Sequence, residues 1–136
     1  MKRQILFRAK RSDNGEWVYG NLIDSDSIVG KIVEFDGEYF IPEFWYKVVP
    51  ETVAQFTGLT DKNGTKIFDG DIISGSGVVN KLVTYIDKYA CFCLANTNEL
   101  NSKYMSPWQQ VAPGWWNEFG REFEVIGNIY DKELLA

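Results

Sequence analysis

The stretch from 51 to 73, ETVAQFTGLTDKNGTKIFDGDII, holds the residue types best suited to chemistry in this 136-residue chain. Asp61, Asn63, Asp69 and Asp71 carry oxygens that could ligate a cation. The glycines among them could bring backbone N–H groups close to a phosphate. Spacing decides against both uses. An EF-hand register that sets Asp61, Asn63 and Gly64 at loop positions 3, 5 and 6 puts Leu59 at position 1 and Gly70 at position 12, where carboxylates are required. A phosphate-binding loop needs Gly-Lys-Ser/Thr after four intervening residues. Gly58 is instead followed six residues later by Gly64 and then Thr65. Asp69 and Asp71, spaced i, i+2 across Gly70, could chelate a metal with a third carboxylate or act as an acid–base pair. The simpler reading makes Asp69 a turn residue bonding the local backbone and Asp71 the start of a strand.

The composition narrows the chemistry further. The chain has no histidine, so the commonest general base, the commonest zinc ligand and the Ser-His and Cys-His dyads are all absent. An enzyme would have to rely on carboxylates, Lys, Tyr or a bound metal, and the expectation is a non-enzymatic protein with no cofactor. Cys91 and Cys93 are the only cysteines. On a strand they share a face, where disulfide geometry is seldom met, and no His or third Cys completes a zinc site. They read as small packing residues in a reducing cytoplasm. The opening MKRQILFRAKR has too short an apolar run for a signal peptide, and no segment approaches membrane-spanning length, so the expected location is cytoplasmic.

Charge is uneven. Lys2, Arg3, Arg8, Lys10 and Arg11 precede the first acid, Asp13, which leaves −10 for the rest of a chain of net charge −5. These five cations are candidate phosphate contacts for a nucleic-acid partner, with aromatic residues to stack on bases. Alternatively Arg8, Lys10 and Arg11 form the solvated face of a strand, and the acidic remainder opposes extended nucleic-acid contact. A second candidate surface is PWQQVAPGWWNEF. Trp108, Trp115 and Trp116, with Phe119 close behind, stand in a polar, Pro/Gly-punctuated segment, and rigid aromatics there could anchor a protein interface. The competing reading tucks these rings into the core.

The elements that would position these residues are mostly strands. Hydrophobic residues make up 45% of the chain and aromatics 15%, within the globular range. Two-residue turn signals recur between short apolar runs: Asn14-Gly15, Asp36-Gly37, Asn63-Gly64 and Asp69-Gly70. Pro42 marks a strand end or a sheet edge. Residues 50–57 read as extended, with a single helical turn opened by Pro50 as the alternative. VVNKLVTYI and ACFCLA read as strands joined through Asp87-Lys88-Tyr89. Residues 96–121 read as a long loop with a helical turn near Met105 to Gln110. EFEVIGNIY reads as a closing strand and DKELLA as a short helical tail. Many short strands with a turn every 8 to 12 residues predict a mainly β protein, a small barrel or sandwich.

The same residues carry a family resemblance. TVAQFTGLTDKNGTKIFDGDII resembles the signature of the YopX family, ILFRAKRSDNGEWVYG resembles that family's opening hairpin, and EVIGNIYDKELL its closing segment. Residues 24–49 and 96–121 show little to match. The resemblance implies a phage or prophage origin and a two-part fold, an N-terminal hairpin-rich lobe over 1–57 beside a C-terminal SH3-like β-barrel over 58–136. It carries over no catalytic residues. The expectations are thus an accessory protein that assembles with itself or binds a host or phage protein, a nucleic-acid-associated module as the alternative, and a carboxylate–metal enzyme last.

Overall fold

The structure, a computed structural model, describes residues 3–75, 77–100, 107–111, 115–116 and 122–131. It is mainly β, and its helical content among these residues is short: three 3-10 turns, the helical pair Trp115–Trp116 and a 3-10 residue at Glu122. The chain divides into two compact units, Met1–Phe56 and Thr57–Ala136, each with its own apolar cluster.

In the first unit β1 (Phe7–Lys10) and β2 (Trp17–Ile23) form the hairpin expected at Asn14-Gly15. Gly15 takes the left-handed backbone (φ +75°) that the turn demands. β3 (Ser27–Val29) pairs with β2, and β6 (Trp45–Lys47) pairs with β3. Between them β4 (Ile32–Asp36) and β5 (Tyr39–Pro42) form a separate two-stranded ribbon, turning at Asp36-Gly37, with Pro42 at its end. Backbone bonds from Gly30 N–H to Phe44 O and from Glu43 N–H to Lys31 O join the β3–β6 ladder to this ribbon. Residues 27–47 are therefore one long hairpin whose distal half leaves the sheet. Ala9, Ile28 and Val48 are fully buried beneath Phe7, Val18, Leu22, Phe44 and Val53. Pro50–Thr52 makes a single 3-10 turn whose Thr52 hydroxyl accepts the Lys10 N–H at 2.8 Å and donates to Val49 O at 2.7 Å. Both readings of residues 50–57 thus hold in part, since the turn gives way to strand at Ala54.

β7 (Ala54–Thr60) carries the chain from one unit into the next. Its first residues pair with β1, and its last run beside β8 (Lys66–Phe68) across the Asn63-Gly64 turn. The second unit continues with β9 (Asp71–Gly75), β10 (Val78–Ile86), β11 (Cys91–Asn96), β12 (Gln109–Gln110) and β13 (Glu124–Asn128), in the sheet order β12-β11-β10-β9-β13. A 3-10 turn over Asp87–Tyr89 joins β10 to β11. Ile67, Ile73, Val83, Leu94, Trp116 and Phe123 fill the core of this unit.

The mainly β class holds, while its SH3-like barrel detail is not confirmed: among the described residues no sheet closes, and the five-stranded sheet keeps two open edges, one of them the two-residue β12. Bulges at Val78/Lys81 and Val125/Gly127 bend the sheet without bringing those edges together. The helical turn expected through Gln110 is also replaced at its end, because Gln109 and Gln110 extend to pair with Leu94 and Cys93. Of the tail expected to be helical, DKELLA at 131–136, Asp131 is not helical and 132–136 lie outside the described residues.

Candidate functional site

The DKNG stretch is built around one buried carboxylate. Asp61 Oδ1 accepts the backbone N–H groups of Asn63 and Thr65, both at 2.9 Å, and Oδ2 accepts that of Val125 at 2.9 Å. The first two bonds shape the β7–β8 turn, and the third ties that turn to β13. Burial by itself would raise the carboxyl's pKa. The N–H bonds from Val125, Thr65 and Asn63, with Lys62 nearby, outweigh burial and hold it below its usual 3.8. Both oxygens are thus committed to the protein's own backbone.

The DGD stretch follows the same logic. Asp71 opens β9, is only 1% exposed, and accepts the Phe68 N–H at 2.8 Å. Gly70, at φ +90°, donates its N–H to Val83 O in β10 and accepts the N–H of Ile129, the residue after β13. Asp69 is half-buried in the turn. Among the described residues no cluster of three or more His, Cys, Asp or Glu side chains could enclose a metal ion. The cysteines lie with Sγ atoms 3.7 Å apart, both as free thiols. Burial, then the hydrogen bond and charge of Cys91, push the Cys93 thiol up to about 12.

Of the basic residues, Lys2 lies outside the described residues and Arg3 is exposed. The remaining three are drawn onto aromatic rings. Arg8 stands opposite Tyr19 and Lys10 opposite Trp17, so the four share one face of the β1–β2 hairpin. The Arg8 guanidinium lies 4.8 Å and the Lys10 ammonium 5.3 Å from the Trp17 ring centre. Arg8 is only 7% exposed, which corrects its placement on a solvated face. Arg11 stacks 3.9 Å over Tyr46 and forms a two-pronged salt bridge with Asp13, at 2.9 and 2.7 Å. The Asp13 bond raises Arg11's pKa, and the Arg11 bond lowers that of Asp13.

The tryptophans divide. Trp116 is 4% exposed and stacks on Phe123 at 6.0 Å, inside the core of the second unit. Trp115 is half-buried, touching Trp116, Phe123 and Trp108 with ring centres 6.2–6.3 Å apart. Trp108 alone of the three is exposed, at 46%, with the Lys81 ammonium 5.4 Å from its ring. Phe119 lies outside the described residues.

Among the described residues, the β4–β5 ribbon is an apolar display that sequence reasoning did not single out. Every residue of β4 is exposed, and so is β5 apart from a half-buried Pro42. Phe35 is 73% and Tyr39 71% exposed, with Ile32, Val33, Phe40 and Ile41 exposed beside them. Isolated two-stranded hairpins are marginal in water, and large apolar side chains seldom stand this open without a purpose. The signal in the sequence was that KIVEF and EYFIP are both too apolar for a hairpin with one wet face. It was masked because the same composition suits a strand buried on one side.

Comparison with known proteins agrees with this architecture. No curated protein matches the sequence. Among solved structures, the crystal structure of protein EF1440 from Enterococcus faecalis is similar at a TM-score of 0.59 and 23% identity, over 98% of this chain and 99% of that one. At that identity the likeness speaks for the fold alone. No helix among the described residues is long and apolar enough to cross a membrane. The model of the YopX protein family matches residues 6–136, taking in the DKNG and DGD turns and both strand-rich units, and the chain belongs to that family.

Proposed function

We propose that this protein is a non-enzymatic assembly module of phage or prophage origin, acting in the bacterial cytoplasm by binding protein: a further copy of itself or a host or phage partner. The observation that carries this reading is the exposed apolar ribbon of β4 and β5, centred on Phe35 and Phe40. Exposed Trp108 adds a smaller apolar site on the second unit. The non-enzymatic character is supported by the missing histidine and by the spent state of the best carboxylate, Asp61, whose two oxygens accept three backbone N–H groups.

Cross-linking in bacterial lysate, read by mass spectrometry, tests the reading. Wild-type protein is expected to form defined protein–protein adducts that a Phe35→Lys, Phe40→Lys variant loses. Adducts that are identical for the two proteins would overturn it. A nucleic-acid role is the second reading, favoured by the shared face of Arg8, Lys10, Trp17 and Tyr19. It predicts a salt-dependent mobility shift with single-stranded DNA or RNA that Lys10→Glu abolishes.

A further inference from the structure

The two faces of the β4–β5 ribbon differ in charge, and one irregularity creates the difference. Cross-strand partners share a face, as do residues two apart on a strand. Phe35 stands opposite Phe40, and Ile32 opposite Pro42. Because Phe40 and Pro42 are two apart on β5, all four side chains lie on one face. Glu34 opposite Ile41 and Asp36 opposite Tyr39 occupy the other. In a regular strand Ile32 and Phe35, three apart, would point to opposite sides. The register shift between Ile32 and Glu34 leaves Val33 as the extra residue and turns Ile32 back toward Phe35. The bulge therefore collects the apolar residues on one face and leaves both β4 carboxylates on the other.

We infer that this uncharged face, Ile32, Val33, Phe35, Phe40 and Pro42, docks on the same face of a second copy of the chain about a two-fold axis. This inference rests on the protein-binding reading above and names its partner. The area suits a dimer. Taking 150–250 Å² for each aromatic ring and somewhat less for each aliphatic side chain, the open fraction of this face comes to roughly 400 Å² of apolar surface. A standard interface buries about 800 Å² per partner, a little over half of it apolar. Charge points to the same occupant. A face without a charged group has nothing with which to select a charged partner, whereas it complements itself in a two-fold contact. Glu34 and Asp36, on the outer faces of the paired ribbons, stay in water.

Light scattering across protein concentration tests the inference, with substitutions chosen by face. The expected particle has twice the 15.6 kDa chain mass at tens of micromolar. Phe35→Lys should weaken dimerisation at least 100-fold, and Phe40→Ser should weaken it in the same direction. Tyr39→Lys, on the acidic face, should leave it within about threefold. All three positions are exposed, and an unchanged circular dichroism spectrum certifies that each variant folds. A monomer at every concentration up to about 200 micromolar overturns the inference, as does a dimer indifferent to both phenylalanine substitutions or one broken equally by Tyr39→Lys. The two levels separate cleanly. A monomeric protein whose lysate adducts vanish with the phenylalanine variant loses the second copy as partner but keeps the protein-binding reading; a monomer with unchanged adducts loses both.

Discussion

At the scale of single residues, Asp61 shows how a ligand-like side chain can serve folding. Three backbone N–H groups of the part-buried turn and of β13 converge on it, and each would lose its partner if the carboxylate were removed. Asp61→Ala should cost about 2–4 kcal/mol by denaturant titration at pH 7. The pH dependence follows from the lowered pKa. The folded protein holds the Asp61 proton less tightly than the unfolded chain, so the stabilisation is complete above the unfolded value and is lost as pH falls through the folded one. The gap between wild type and Asp61→Asn should therefore narrow from pH 6 toward pH 3, and a constant gap would show that the charge contributes nothing. Cys93 makes the opposite case. Its thiol, fully buried and pushed up to about 12, should resist iodoacetamide at pH 8 in the native protein and react once the chain is unfolded in urea, as counted by mass spectrometry.

At the scale of elements, turn chemistry was the most legible part of the sequence. Asn14-Gly15, Asp36-Gly37, Asn63-Gly64 and Asp69-Gly70 all turn the chain where a side chain at the glycine would meet a left-handed backbone. Such signals are read locally, because a positive φ is costly for most residues whatever surrounds it. Contacts between strands are not local. Gly20, in β2, is needed for a different reason: a Cβ there would stand 2.3 Å from the carbonyl oxygen of Val29 on the neighbouring strand. Gly20→Ala should cost about 1–3 kcal/mol and lower the melting temperature, because backbone must shift to admit the methyl group. A melting temperature equal to that of wild type would show that the β2–β3 pair separates at no cost. The face of Arg8 was misjudged for a related reason. Alternation places Arg8 and Lys10 on one side of β1, but only the paired strand supplies Trp17 and Tyr19 to receive them.

At the scale of the whole molecule, no three carboxylates or thiols among the described residues gather into a cluster that could enclose a cation. The two acids nearest to one, Asp69 and Asp71, lie in and just after a turn, where Asp71 is buried against the Phe68 amide. Millimolar magnesium, manganese or calcium is expected to leave the melting temperature unchanged. A rise that grows with cation concentration would signal binding to the folded state and reopen the DGD turn as a metal site.

Local pattern alone decided the class of this protein: short apolar runs and glycine-marked corners determine a mainly β chain. Tertiary structure decided which apolar residues are core and which are surface. Trp116 and Phe35 are alike in sequence, both bulky aromatics with acidic residues close by, yet one is sealed against Phe123 and the other stands in water. The physical reason is that burial depends on what lies across the sheet. That neighbour can come from anywhere along the chain, and for the β4–β5 ribbon the chain supplies none among its described residues.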